Sequence, residues 1–202
     1  MTIRTNPPTS NPWPPAAVRR RRVLVLSVAA IVLILKLWVA ATTFGTNDVH
    51  YWQSFAAAVR RVGPIKIYAL PWSFSPVNGH VLAAPYNHPP LIGWMLVVVN
   101  HLVWHGFSFP FLIRLPASVA DMVTTLVIFE LLRVWRNLRE ATAAALLVAC
   151  SPVLFIISGF HGNTDPVFVM FTLLSAYLLI SRPWPARAWA SPALAGPCSP
   201  WR

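Results

Sequence analysis

The sequence predicts an all-α integral membrane protein with about four transmembrane helices and a large outer loop that contains interfacial helices. Of the 202 residues, 56% are hydrophobic and only 10% are charged, whereas soluble domains average about 25% charged residues. The chain also contains continuous apolar runs of about 20 residues, the length that crosses a bilayer as a helix. Together these observations exclude a water-soluble fold.

The charge distribution and the cysteines exclude several classes of protein. The net charge is +11, which in a soluble protein would suggest a nucleic-acid partner. Here most basic residues flank apolar runs, where they set membrane orientation, so we expect no nucleic acid. There is no Gly-rich phosphate loop and no zinc-ligand spacing. Cys150 and Cys198 do not form a disulfide pattern, and the first apolar run lacks a cleavage site, which indicates an uncleaved anchor.

The predicted organisation is a membrane module over 23–181 between two tails. The Pro-rich, basic stretch 1–22 is typical of a disordered cytoplasmic tail. The stretch 182–202 is rich in Pro, Ala, Trp and Arg without periodicity, which indicates an aberrant tail from a truncation or frameshift, or a disordered one. The predicted spans are 23–43, 112–132, 141–160 and 166–181, with an outer loop at about 45–111.

Charge placement decides whether the short apolar segment 91–107 crosses the membrane. If this segment stays at the outer interface, most basic residues fall on the cytoplasmic side, as the positive-inside rule requires. If it crosses, most of them fall outside. The sequence therefore predicts a cytoplasmic N-terminus and an interfacial segment 91–107 in a multi-pass protein of the cell membrane.

Several charged residues lie within or beside the predicted spans. Lys36 interrupts the first span, and snorkelling to the interface is favoured over a phosphate contact. Arg114 and Asp121 lie on nearly the same helix face. A structural role for Asp121, pairing with Arg114 or capping a neighbouring polar group, is therefore an alternative to a functional role. Glu130 and Arg133 have the spacing of an ion pair.

Two acidic residues fall just past the outer ends of outward-going spans. Asp48 follows the first span and Asp165 follows the third, so neighbouring spans could bring both to the outer face. A partly desolvated carboxylate at an apolar interface suits a general base. The alternative for either residue is a solvated loop acid or a helix cap.

The histidines and aromatic residues carry a weaker signal. All the histidines fall on the predicted outer side, but their spacing fits no metal-ligand motif. The aromatic residues favour interfacial anchoring over a sugar-binding platform. The six histidines are His50, His80, His88, His101, His105 and His161.

Four motifs then occur in a fixed order: TNDVHYW, YNHPPL, RLPASVAD and SPVLFIISGFHGNTD. This order resembles the membrane-embedded C-type (GT-C) glycosyltransferase superfamily, which uses polyprenyl- or dolichyl-phosphate-linked sugars. YNHPPL is similar to the protein O-mannosyltransferases and their bacterial relatives, whereas FHGNTD is similar to the glucosyltransferases that extend lipid-linked oligosaccharides. Both branches stay open, and the resemblance covers about 43–181.

The resemblance implies a set of site residues. It implies that Asp48 is the catalytic acid of the first outer loop and that Asp165 and its neighbours line the same pocket. Some members bind a divalent metal at the second acidic site and others need none, so no cofactor is assigned and a divalent metal stays open. A leaving phosphate requires cations, for which Arg114 is preferred over Arg60 and Arg61. The predicted substrate-binding residues are Asp165, His161, Arg114, His88 and Tyr86.

The function implied is transfer of a mannosyl or other glycosyl group from a polyprenyl-phosphate-linked donor to a hydroxyl acceptor at the outer membrane face. The acceptor is a hydroxyl of a glycan, a lipid or a protein, and membrane lipids surround the enzyme. Members of the superfamily are usually longer and have more spans, so we expect a truncated module whose own activity is open. The alternative is a non-enzymatic membrane protein, such as a transporter fragment or an assembly subunit.

Overall fold

A computed structural model describes residues 13–70, 73–77 and 80–181 of the chain. Most of these residues are helical, and the long connection between the first and fourth helices also contains a hairpin. The helices are α1 Pro15–Thr42, α2 Asn47–Val62, α3 Pro90–Trp104, α4 Phe109–Trp135, α5 Leu138–Ala149, α6 Pro152–Ile156 and α7 Asp165–Ser181. A 3-10 turn spans Lys66–Ala69, a π-helical turn spans Ile157–His161, and the strands are β1 Ser73–Val77 and β2 His80–Ala84.

The all-α membrane class is confirmed. Three helical segments in the described part of the chain are long and apolar enough to cross a membrane: α1, α4 and Leu138–His161. Helices α3 and α7 are apolar but have 15 and 17 residues, which corresponds to roughly 22 and 26 Å at the helical rise per residue. The hairpin β1–β2 is an addition that the sequence analysis did not predict.

The first helix begins earlier than the composition predicted. Helix α1 starts at Pro15 and includes the arginine run 19–22, which the sequence analysis had placed in a disordered tail. Proline is tolerated at the first helical position because its missing N–H would be unpaired there. Alanine and arginine then extend the helix readily. The remaining predictions of disorder, for 1–12 and 182–202, lie outside the described residues.

The hairpin pairs β1 and β2 antiparallel, with Ser73 opposite Ala84 and Val77 opposite His80. In the sequence, Asn and Gly occupy the two positions between the strands. This dipeptide between short runs of β-prone residues is a strong hairpin signal. The sequence analysis missed it because it assigned only helices to the long loop.

The third predicted span is interrupted at its middle. Helix α5 ends at Ala149, and α6 begins after Ser151, whose Oγ accepts a hydrogen bond from the Leu154 N–H at 3.4 Å. Pro152 has no N–H to donate, and its ring crowds the preceding helical turn, which explains the break. The following π-helical turn ends at Gly162, whose φ of +88° favours glycine.

Helix α4 lies at the centre of the helical bundle and packs against α1, α5 and α7. At one end of the α1–α4 contact, Arg22 Nε lies 2.7 Å from Glu130 Oε1. Arg133 Nε lies 2.5 Å from the other oxygen of Glu130, so the ion pair predicted from helical spacing is confirmed. Glu130 therefore links α1 to the last turns of α4.

Near the middle of the same contact, Lys36 Nζ lies 2.5 Å from Asp121 Oδ2. The two side chains are only 3% and 9% exposed, so the prediction that Lys36 snorkels to the interface is wrong. Asp121 pairs with Lys36 instead of Arg114. The stem of Lys36 lies against Gly159, where a Cβ atom would stand 3.1 Å from its Cγ. The glycine thus leaves room for a lysine that stays inside the bundle.

We expect that removing one partner of this buried pair is strongly destabilising. Asp121→Asn or Lys36→Met each leaves an uncompensated buried charge or polar group, at a cost of roughly 3–5 kcal/mol for a lone buried charge. The double variant should cost clearly less than the sum. Thermal unfolding in detergent measures the free energy of unfolding of the single and double variants. As a control, Arg22→Gln at the more exposed pair should lower this free energy by less than about 1 kcal/mol. Additive single effects would contradict this coupling.

Candidate active site

The first turn of α2 carries Asp48, the leading catalytic candidate. A short connection after α1 leads into α2, and Asp48 is the second residue of that helix. A carboxylate is favourably placed there because the N-terminus of a helix carries a partial positive charge. Three aromatic residues follow at helical spacing and share its face. These are Tyr51, Trp52 and Phe55.

Asp48 and these aromatic residues line a cavity of about 460 Å³. The cavity lies between α2, the segment that precedes α3, and the start of α7. Its polar lining residues are Asp48, Asn87, His88, Asn163 and Asp165, and its other lining residues are Tyr51, Trp52, Phe55 and Pro85. The two acids that the sequence analysis expected at the same face therefore line one cavity.

A histidine from the π-helical turn contacts Asp48. His161 Nδ1 lies 3.0 Å from Asp48 Oδ2 and also 3.0 Å from Thr46 Oγ1. Thr46 in turn donates a hydrogen bond to the His161 carbonyl oxygen at 3.0 Å. The connection before α2 and the turn before α7 are thus joined directly at Asp48.

The second acid is held by its own turn. The Asp165 N–H donates to Asn163 Oδ1 at 2.9 Å, and Asn163 Nδ2 donates to Asp165 Oδ2 at 3.0 Å. Asp165 is the first residue of α7, so it too occupies a helix N-terminus. Asn163 therefore positions this carboxylate at the cavity, a role that the sequence analysis did not assign.

Aromatic packing fixes the wall that Trp52, Phe55 and His88 form. The His88 ring lies 4.5 Å from the Trp52 ring, and the Tyr86 ring lies 5.3 Å from Phe55. Tyr86 is only 6% exposed and supports the wall from behind instead of lining the cavity. Trp52 and Phe55 line the cavity, and interfacial anchoring of the Trp and Phe residues stays a prediction. Burial raises the pKa of Tyr86 and lowers that of His88, although the charge of Asp165 opposes the shift at His88.

Arg114 lies beneath the site and is fully buried. Its guanidinium donates six hydrogen bonds at 2.5–3.4 Å, all to oxygen atoms of the protein. They join the end of α1, the start of α4 and the π-helical turn. The acceptors are the carbonyl oxygens of Pro110, Ala40, Thr43, Gly159 and Phe160 and the Oγ1 of Thr43.

The connection that follows α1 and the π-helical turn approach each other closely at Gly45. A Cβ atom there would lie 2.6 Å from the Phe160 carbonyl oxygen, and the φ of Gly45 is +95°. Both the space and the backbone conformation therefore require glycine at this position. The connection between α1 and α2 can reach the π-helical turn only with this residue.

The predicted site residues thus fall into three groups. Asp48, His88 and Asp165 line the cavity, and His161 contacts Asp48 from the side. Tyr86 and Arg114 are buried behind the lining. The catalytic and substrate-binding roles assigned to all six residues stay predictions.

The sequence analysis missed the lining residues Tyr51, Trp52, Phe55, Pro85, Asn87 and Asn163. The spacing of the first three from Asp48 puts them on the face of α2 that carries Asp48, so the helical period could have identified them. Asn87 and Asn163 stood inside the motifs YNHPPL and FHGNTD. Only their position beside acidic or histidine neighbours pointed to them.

The electrostatic character of the cavity is acidic. The described residues of its lining include two carboxylates and one histidine, and no lysine or arginine is among them. Within 13–70, 73–77 and 80–181, no three His, Cys, Asp or Glu side chains gather closely enough to hold a metal ion. The arrangement offers carboxylate and amide acceptors beside aromatic surfaces, which is the chemistry that binds a polyhydroxylated ligand.

The apolar helical bundle and this cavity at the ends of its helices are features of a membrane-embedded glycosyltransferase of the GT-C class. The family model of the dolichyl-phosphate-mannose-protein mannosyltransferases matches residues 87–190, which is more than half of the chain. The chain belongs to this family. The match includes His88, Arg114, His161 and Asp165 and begins after Asp48. Comparison with curated proteins and with solved structures gave no match.

The contacts of Arg114 predict that lysine cannot replace it. Lysine keeps the charge but has three donors on one nitrogen and cannot span acceptors on three chain segments. We expect Arg114→Lys to lower the free energy of unfolding by at least about 2 kcal/mol, since each orphaned buried carbonyl costs ~1–3 kcal/mol. Thermal unfolding measures this, with Arg22→Lys at an exposed ion pair as the control. Equal stability of both variants would contradict the role.

The lowered pKa of His88 predicts a pH dependence of stability. As the pH falls below the ordinary value of 6.5, the unfolded chain binds a proton before the folded chain does, so the free energy of unfolding decreases. The decrease should end below the folded-state pKa. Denaturation midpoints across this range measure the effect, which His88→Gln should reduce. His101→Gln, which removes an exposed histidine, is the matched control, and an equal reduction there would overturn the assignment.

Proposed function

We propose that the chain transfers a glycosyl group, most simply mannosyl, from a polyprenyl-phosphate-linked sugar to a hydroxyl acceptor, with Asp48 as the proton acceptor. The observation that carries this proposal is the shared cavity of Asp48, Asp165 and an aromatic wall. Membership of the mannosyltransferase family supplies the class of reaction and of donor. The proposed acceptor is a hydroxyl of a glycan, a lipid or a protein. A hydroxyl loses its proton on transfer, which is why the reaction needs a proton acceptor.

The chemistry of the cavity suits the sugar and the acceptor hydroxyl. Carboxylates and amides hydrogen-bond to sugar hydroxyls, and aromatic rings pack against the apolar faces of a sugar ring. A cavity of about 460 Å³ falls in the size range of small-ligand sites, roughly 300–1,000 Å³. Trp52 and His88, in contact at 4.5 Å, provide the rigid aromatic surface. Asp165, fixed by Asn163, is the proposed second ligand for the sugar.

In the proposed step, the acceptor oxygen attacks the anomeric carbon while the bond from that carbon to the phosphate oxygen breaks. The electron pair leaves with the polyprenyl phosphate, and the hydroxyl proton passes to Asp48. His161 holds Oδ2 of Asp48 at 3.0 Å, which leaves Oδ1 for the acceptor. General-base assistance of this kind contributes roughly 10²–10⁴-fold.

The leaving phosphate must be stabilised outside the acidic lining. Arg114 is engaged in six hydrogen bonds to protein oxygens, so its contacts support a structural role. Arg60 lies twelve residues after Asp48 on α2, roughly 18 Å along the helix, and is not among the described residues that line the cavity. The lining itself therefore recognises the uncharged part of the donor, and a divalent metal stays an open source of positive charge.

The proposed orientation places the cavity at the outer face of the cell membrane and the N-terminus in the cytoplasm. The basic residues at the start of α1 and at the α4–α5 connection support it, because such residues mark the cytoplasmic side. The transporter alternative rested on Asp121 within a span and on the six histidines of the predicted outer side. Asp121 is paired with Lys36, and the adjoining cavity of about 10 Å³ has room for about one water molecule, so no transport path is apparent there.

Asp48→Asn tests the proposed reaction. We expect transfer from a polyprenyl-phosphate sugar to fall by roughly 10²-fold or more, because the amide cannot accept the proton. Thermal stability and membrane insertion should stay unchanged, since Asp48 is substantially exposed. The transfer assay uses radiolabelled donor with the purified protein in lipid.

Asp165→Asn is the comparison variant for this test. It should raise the KM for the donor more than it lowers kcat, because the proposed role of Asp165 is binding. Near-normal turnover by the Asp48 variant, in a preparation whose parent is active, would sink the assignment of the base.

A further inference from the structure

The last turn of α2 and the segment after it carry a cluster of three exposed basic residues. Arg60 and Arg61 lie in the last turn of the helix, and Lys66 begins the following 3-10 turn. Within the described residues, none of their three side chains has a hydrogen bond or an ion pair. We name these three residues the basic cluster. None of the three is among the described residues that line the cavity, and the proposed reaction assigns them no role.

The basic cluster adjoins an exposed apolar face of α3. Pro64, between Arg61 and Lys66, packs on α3 at Gly93, where a Cβ atom would stand 3.0 Å from the Pro64 carbonyl oxygen. Trp94 follows Gly93 and is 56% exposed. The cluster therefore stands beside the first turns of α3.

Helix α3 is apolar on both of its faces. Ile92 and Leu96 are buried in one apolar cluster with residues of α2, and Asn100 donates a hydrogen bond to the Ala56 carbonyl oxygen at 2.8 Å. The opposite face carries apolar residues at helical spacing. These are Leu91, Trp94 and Val98, exposed by 49%, 56% and 58%. A face of this kind beside unpaired basic groups is typical of a helix that lies in a membrane interface.

The acidic residues of the chain argue against a second copy as the partner. The chain has only five acids, and each contacts a group of its own protein. Asp48 contacts His161, Asp121 contacts Lys36, Glu130 contacts two arginines, Glu140 contacts Asn137, and Asp165 contacts Asn163. A second copy would thus bring no free carboxylate to the basic cluster and would add positive charge.

We propose that the basic cluster and the exposed face of α3 form a docking surface for anionic glycerophospholipids of the surrounding bilayer. The phosphodiester headgroups contact Arg60, Arg61 and Lys66, and the acyl chains cover Leu91, Trp94 and Val98. The proposal does not depend on the glycosyl-transfer reaction. One consequence concerns the cavity: the Tyr68 hydroxyl, just after the basic cluster, donates a hydrogen bond to the carbonyl oxygen of His88. Bound lipid therefore steadies a segment that supports the cavity wall.

The test places a reporter on the exposed face of α3. Val98→Cys is made in a protein with Cys150→Ala and Cys198→Ser, labelled with a fluorophore and inserted into phosphatidylcholine nanodiscs. A trace lipid carries a quencher on its acyl chain and has either a phosphatidylglycerol or a phosphatidylcholine headgroup. Relative quenching gives the preference of this surface for the anionic lipid.

We expect the phosphatidylglycerol quencher to be preferred by roughly 10- to 100-fold at low salt, because each basic residue at a membrane surface contributes about 5-fold. Salt should weaken the preference through screening. Arg60→Gln/Arg61→Gln/Lys66→Gln should abolish it. The matched control, Arg19→Gln/Arg20→Gln/Arg21→Gln, removes the same charge at the far end of α1 and should keep it.

Three outcomes would overturn the proposal. An absent preference in the parent would show that the surface does not select anionic lipids. Equal loss in both triple variants would show that net charge, and not this surface, attracts the lipid. Weak quenching by both lipids, together with crosslinking between cysteines at position 98 in an unlabelled sample, would show that a second copy covers the face.

Discussion

The buried guanidinium of Arg114 holds the site end of the molecule together. Helices that end inside an apolar bundle leave carbonyl oxygens without partners, and an unpaired buried carbonyl is costly. Arg114 supplies donors to such oxygens from the end of α1 and from the π-helical turn. The planar fork of arginine suits this task, since five N–H groups point in fixed and different directions. The chain segments that carry Asp48 and His161 consequently meet above it.

Two further polar contacts join α1 and α4 at other positions along the helices. Glu130 joins Arg22 at one end, and Asp121 joins Lys36 near the middle. Apolar helix surfaces can slide past one another at little cost, whereas a displaced buried ion pair leaves charges unpaired. We therefore interpret the buried pair of Lys36 and Asp121 as a determinant of register. A fixed register between α1 and α4 keeps the ends of the helices at constant positions, so that residues from several helices can line one cavity.

The polar residues of the cavity lie at helix ends and in turns. Asp48 and Asp165 stand at the N-termini of α2 and α7, and His88 and Asn87 belong to the turn before α3. Irregular backbone can bend toward a ligand, and the rigid helices behind it limit its motion. The aromatic packing of Trp52 with His88 fixes the aromatic wall of the cavity. An acidic, amide-bearing cavity with aromatic sides agrees with membership of a family that handles sugars.

The sequence by itself determined the membrane class, the approximate positions of the helices, and the two acids that now line one cavity. These properties follow from apolar run length and from the order of elements, which are local in the chain. Only the tertiary structure decided the partners of the buried charges. Lys36 pairs with Asp121, and Arg114 binds carbonyl oxygens, because residues far apart in sequence become neighbours when α1 packs on α4. No spacing rule within one helix contains that information.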